Sequence, residues 1–226
     1  MIRAVSILLL FAGGLFPSAA PTLESALALL DSAGRSFRSM SGEMKKVTHT
    51  AILNDDSTES GTVRVKQTGS KGLTMLIEVR EPDPKAYAFE GKKAEIYYPK
   101  MKTVQIYDLG KHSNLVDQFL LLGFGTSASE LQKSYTLKLA GKERVAGIET
   151  TRLELVPKSA KTREHLSQAE LWISTADGRT VQQKFTEPSG DYRLITYTQT
   201  KWNPNLSDSD VKLNLPKDVK REYPQK

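Results

Sequence analysis

From Met40 to Trp202 the chain repeatedly changes between apolar and polar residues with a period of two, which a helix cannot use and a half-buried strand requires. In GTVRVKQ (Gly61–Gln67), Val63 and Val65 share one face while Arg64 and Lys66 take the other. The same pattern marks Met40–Leu53, Leu73–Arg80, Tyr87–Glu90, Lys93–Tyr98 and Thr103–Leu109, and returns in Tyr135–Val145, Ile148–Pro157, Ser167–Ser174, Arg179–Glu187 and Asp191–Trp202. Turn residues separate these runs at Asn54–Ser57, Gly69–Gly72, Gly91-Lys92, Pro99–Lys102, Gly147, Asp177-Gly178 and Pro188–Gly190. About ten sequential strands joined by tight turns predict an antiparallel meander that must curl or close to protect its edges.

One strongly apolar stretch interrupts that rhythm. In Asn114–Gly125 (NLVDQFLLLGFG), Leu115, Phe119 and Leu122 recur at helical spacing, and only Asp117 and Gln118 are polar between Leu115 and Phe124. A helix this apolar has to be covered by the sheet, by another chain or by a greasy ligand. A second helix is predicted at Thr22–Arg38, with Thr22 as N-cap and Leu23, Leu27, Leu30 and Phe37 as its apolar stripe. Ser127–Lys133 reads as a shorter helical piece. The expected fold is therefore mainly β (α+β), an antiparallel open half-barrel of about ten strands. Its N-terminal helix and central helical insertion cover the concave face, where barrels of this kind hold ligands.

The first twenty residues differ from the rest. Arg3, the apolar and glycine run Ala4–Phe16 and the small residues Ser18-Ala19-Ala20 form the pattern of a secretory signal peptide. The expected organisation is a signal at 1–20 and one domain at 21–226, a length that suits a single all-β unit. With no cysteine, such an exported chain relies on core area instead of disulfides, and it has neither thiolate metal sites nor a cysteine for lipid anchoring. The net charge of +6 is spread over small clusters at Lys45-Lys46, Lys92-Lys93 and Lys217–Arg221, which would draw an exported protein to anionic membrane surfaces or acidic partners or, more simply, form an ordinary solvated surface.

Catalytic and nucleotide signatures fail on context. Gly123–Ala128 fits the loose G-x-G-x-x-A pattern, but too few residues follow before the next strand for a crossover helix. His49, His112 and His165 are scattered, and neither H-E-x-x-H nor G-x-S-x-G occurs. Tyr97-Tyr98, Trp172, Tyr192, Tyr197 and Trp202 sit on strands beside basic residues, an arrangement that ordinary cross-strand packing explains without nucleic acid. No metal, no cofactor and no catalytic group is expected.

The order of signal, helix, strands, helical insertion and strands resembles the LolA family of periplasmic lipoprotein carriers. The segment most similar to the family is Tyr87–Lys100, YAFEGKKAEIYYPK, followed by Gly123–Leu131 leading into Tyr135, Leu153–Lys158, Leu171–Ser174 and the tail Leu206–Val219. One departure stands out. Members usually carry an Arg-Pro pair after the second strand, whose arginine closes the lid, whereas Lys66-Gln67-Thr68 occupies that place here.

The resemblance implies a soluble monomeric periplasmic carrier, not an enzyme, that shelters the acyl chains of lipoproteins in a hydrophobic cavity. Its partners would be acylated lipoproteins or lipid, an inner-membrane release complex and an outer-membrane acceptor. Alternation places Val63, Val65, Ile96, Tyr98, Val104 and Ile106 toward that cavity, with Leu115, Phe119, Leu122 and Phe124 covering it. The alternative on the same fold is a lipid-binding sensor, regulatory or lipid-transfer domain. A chain that ends soon after the family pattern favours the carrier.

Overall fold

Strand β1 (Ser39–Thr50) is where the two halves of the sheet meet: it pairs antiparallel with β2 (Asp55–Gln67) on one side and with β11 (Tyr192–Trp202) on the other. The computed structural model describes residues 21–69, 72–110 and 122–225. The signal expectation at 1–20 and the insertion residues through 121, with Leu115 and Phe119, lie outside them.

Beyond β2 the chain runs through β3 (Leu73–Glu81), β4 (Lys85–Glu90), β5 (Lys93–Tyr98) and β6 (Thr103–Asp108), each antiparallel to the one before. The second half begins at β7 (Tyr135–Val145) and continues through β8 (Ile148–Pro157), β9 (Gln168–Ser174) and β10 (Thr180–Thr186) to β11. The sheet has twelve strands in the order β12-β6-β5-β4-β3-β2-β1-β11-β10-β9-β8-β7, and it stays open. β12 (Lys220–Glu222) joins β6 in parallel, a departure from the purely antiparallel meander expected. The return of β11 to β1 turns two meanders into one continuous curved surface. At the other edge, β7 points Lys138, Lys142, Glu143 and Arg144 into solvent, charges that discourage edge pairing.

Helix α1 (Leu23–Ser36) starts at Thr22, whose hydroxyl accepts from Ser25 N while the Ser25 hydroxyl accepts from Thr22 N. It buries Ala26, Leu27, Leu30 and Ala33 on the concave side against Leu153, Leu155, Leu171 and Phe185. Each leucine covered in this way stabilises the fold by roughly 1.5–3 kcal/mol. Gly34 lets the short helix α2 (Ala128–Ser134) approach: a Cβ at Gly34 would lie 2.9 Å from the Thr126 carbonyl oxygen. Asp31 Oδ1 accepts from Ala128 N at 2.6 Å, so α1 caps one of the orphan donors of α2. A single turn, α3 (Ala160–Arg163), bridges β8 and β9.

The tail does more than end the chain. The turn Ser209–Val211 lies on β2 and β3, held by Arg64 Nη1 donating to the Asp210 carbonyl at 3.0 Å and by Lys66 with Asp208 at 2.6 Å. Both anchors are on the convex face, so this face carries a small core of its own, with Leu76, Ala88, Val104, Val211 and Val219 all buried.

Candidate functional site

Residues paired across neighbouring strands share a face. Val63, Ile77, Tyr87, Ile96 and Gln105 are aligned across β2 to β6, and Met44, Lys46 and Glu59 continue the same face through β1 and β2 to Ile195 and Tyr197 on β11. That face is concave, and among the described residues nothing fills the middle of it. A cavity of about 180 Å³ lies over Val63, Met75, Ile77 and Val79, walled by Tyr87 and Phe89 on one side and by Met44, Ile195 and Tyr197 on the other. Its three charged lining residues are Lys46, Glu59 and Arg193. A second hollow of about 400 Å³ adjoins it, shares Arg193 and Ile195, and is bounded by Leu166, His165 and Phe185. Together they form one groove along the inside of the half-barrel.

The charges sit at one end of the groove and are matched. Glu59 lies 2.5 Å from both Lys46 Nζ and Lys85 Nζ. Burial alone would push the Glu59 carboxyl up, but the two ammonium groups outweigh it and hold it below the usual carboxylate range. The Glu59 contact in turn raises Lys85, whose ammonium lies 5.9 Å from the centre of the Tyr87 ring. Arg193 pairs with Glu187 at 2.6 Å. The arrangement offers apolar area with a polar rim.

The opposite end of the groove is plugged by aromatics. Phe124 packs on Phe37 at 6.1 Å and edge-on to Tyr197 at 5.4 Å, and Phe37 meets Trp202 edge-on at 5.2 Å. The chain enters this plug through Leu122 and Gly123. Thr180 Oγ1 donates to the Gly123 carbonyl at 2.8 Å, while the Gln183 amide donates to the Leu122 carbonyl and accepts from the Tyr197 hydroxyl. Only glycine fits at 123, where φ is 85° and a Cβ would lie 2.4 Å from Thr180 Oγ1. The G-x-G-x-x-A pattern there is thus a close backbone approach to β10. Arg64 faces the convex side and pairs with Glu78 at 2.7 Å. Gln67 is exposed, its backbone N–H donating to the Arg38 carbonyl at 2.8 Å.

The residues expected to line the cavity divide. Val63 lines it, and Val65 lies on the same face, packed in the core that contains Phe124. Ile96 and Tyr98 share that face farther along β5. Leu122 is buried against α1 and Phe124 in the aromatic plug. Val104 and Ile106 must be corrected, because Val104 pairs with Tyr97 and Ile106 with Glu95, both convex. Gln105 and Tyr107 take the inward positions, joined by a 2.9 Å hydrogen bond. Val104 is fully buried on the convex face, where Leu76, Ala88, Val211 and Val219 are buried too, and β12 pairs along the edge of β6. Apolar alternation marks a covered face, and here both faces are covered. The inner wall from β3 and β4 was missed, although Met75, Ile77 and Val79 alternate cleanly in LTMLIEVR. Among the described residues no group of three His, Asp or Glu is placed to hold a metal ion, and no helix is long and apolar enough to cross a membrane.

A family model described as the MucB/RseB N-terminal domain matches residues 81–172. The crystal structure of MucB is similar at 16% identity and a TM-score of 0.53, covering 84% of this chain and 62% of that one. The chain thus spans less than two thirds of MucB. An uncharacterized conserved protein from Thermus thermophilus gives a TM-score of 0.54 at 16% identity, over 88% of this chain and 99% of that one. The Mycobacterium tuberculosis lipoprotein LppX gives 0.50 at 15% identity, over 84% and 100%. Among curated proteins no sequence matches this chain.

Proposed function

We propose, from the premise that this chain has a LolA-like fold, that it is a non-catalytic periplasmic carrier whose concave groove shelters acyl chains. The observation that carries this reading is the groove itself: an apolar floor spanning β1 to β4 and β11 that no described residue fills, opening beside a more polar hollow at β10 and β11. Each methylene taken out of water there is worth about 0.8 kcal/mol, and apolar contact has no direction, so the chain can be held without being fixed in one pose. Handing it on requires that looseness. The cargo we infer is an acylated lipoprotein, received from an inner-membrane release complex and given up to an outer-membrane acceptor.

A second reading, a regulatory or sensing domain that binds the same lipid class, is favoured by the match of residues 81–172 to the MucB/RseB model. The two differ in what travels with the protein. A carrier purifies with cargo in its groove, whereas a regulator purifies with a fixed protein partner.

The test is the binding of a fluorescent fatty-acyl probe to the purified protein. Ile77 lies on the cavity floor, so Ile77→Trp should fill the space and remove binding while the fold survives. Equal binding by the variant would move the acyl site out of the groove.

A further inference from the structure

The β1–β2 hairpin ends in a turn that a soluble carrier has no structural need to make apolar. Ile52 is 91% exposed and Leu53 72%, adjacent and at the outermost point of the hairpin. Single exposed aliphatic side chains are ordinary, but two neighbours on a projecting tip are not. The tip is also rigidly built. Leu53 N donates to the Thr50 carbonyl and Asn54 N to the Ala51 carbonyl, Asn54 takes the left-handed conformation (φ 48°), and Ala51 N donates to Asp191 Oδ1 at 2.7 Å. Behind it, His49 stacks on Tyr192 at 4.7 Å and meets Asp56 at 2.7 Å. The hairpin outruns its neighbour: β2 pairs with β3 only from Ser60 inward, so Asp55–Glu59 stand beyond the end of β3.

The same end of the sheet carries the charged mouth of the groove. Lys46 and Glu59, which line it, are paired on this hairpin a few residues behind the tip. Whatever the tip touches therefore faces the groove opening. Around it Lys45, Lys46, Lys85 and Arg193 stand against Asp55, Asp56, Glu59, Glu187 and Asp191, four cations against five carboxylates, close to balance. Such a surface has no basic patch to draw it to nucleic acid or to anionic lipid, and no excess of one sign to match an oppositely charged protein.

We propose that the β1–β2 tip is a membrane-contact element: Ile52 and Leu53 insert transiently into the interface of a neutral phospholipid bilayer and bring the groove mouth to the lipid surface. Two aliphatic side chains give only a weak anchor, which suits a protein that must leave again. The functional context rests on the carrier reading above, but the contact is measured separately from it.

The chain contains no cysteine, so a single label can be placed at will. Leu53→Cys and, as control, Ile148→Cys at the start of β8 are each coupled to an environment-sensitive fluorophore and mixed with phosphatidylcholine vesicles. We expect a blue shift and intensity rise at position 53 and none at 148. An equal response at both, or none at 53, overturns the proposal. So does a response at 53 that grows with protein concentration without vesicles, which would assign the tip to a second copy of the chain. In unlabelled full-length protein, Ile52→Asp with Leu53→Asp should lower vesicle co-sedimentation by about tenfold or more. Unchanged co-sedimentation contradicts the proposal. The same double variant should take up a soluble acyl probe like the wild type. If the wild type takes up no probe yet still labels vesicles, the carrier reading fails and the membrane contact stands.

Discussion

The side-chain amide of Gln183, fully buried on β10, donates to the main-chain carbonyl of Leu122 and ties the start of the aromatic plug to the sheet. Its other end accepts from Tyr197 at 2.7 Å, and burial holds that phenol well above its ordinary pKa, so it stays a donor. A buried polar side chain satisfied at both ends fixes one arrangement of the segment it holds.

Gln183→Leu keeps much of the volume but leaves the Leu122 carbonyl and the Tyr197 hydroxyl without partners. The expected loss is about 2–4 kcal/mol, read from the midpoint of urea unfolding. Tyr197→Phe removes only one end of the chain and should cost less, about 1 kcal/mol.

Removing the Phe124 ring empties a site bounded by Phe37, Tyr197 and Trp202. Phe124→Ala should cost about 3–5 kcal/mol, with a drop in thermal midpoint and a change in the near-ultraviolet signal of Trp202.

The Lys46–Glu59–Lys85 bridge makes acid the stress to apply at the groove mouth. Because the Glu59 pKa is lower folded than unfolded, its stabilisation is complete above the ordinary glutamate value of about 4.3 and is lost as the pH falls through the folded value. Glu59→Gln should cost about 1–2 kcal/mol at neutral pH and flatten the stability profile below about pH 4.3. Parallel profiles for variant and wild type would mean that the bridge contributes nothing.

How far the sequence discloses this structure depends on how many faces a strand buries. Val63 and Val65 were legible because Arg64 and Lys66 between them reach the convex surface. The helix capped by Thr22 was legible from its local polar residues, and the shorter helix after Ser127 as a helical piece, though its cap was not read. Val104 and Ile106 were misread because nothing local announces a second core on the convex face, to which a tail more than a hundred residues later contributes Val211 and Val219. The first hairpin turn sits at 51–54 instead of Asn54–Ser57, since Ile52 and Leu53 look like strand residues and only their exposure marks them as a tip. The Gln183 anchor was invisible for another reason: a glutamine in an alternating strand gives no sign of the carbonyl it will meet.

The corrected register of β6 has a consequence that separates the two faces. Val104→Asp strikes the convex core and should destabilise the protein by about 3 kcal/mol or more, while leaving acyl-probe affinity unchanged in the folded fraction. Reduced affinity without loss of stability would place Val104 on the groove side after all.

The most direct test of acyl carriage in the groove is native mass spectrometry of the protein purified without detergent from the cells that make it, alongside Ile77→Trp. The expected result is a bound acylated species on the wild type, released on lipid extraction, and a bare chain for the folded variant. A wild type that flies empty and takes up no acyl probe would contradict it, and the concave groove would then be a packing feature of the fold.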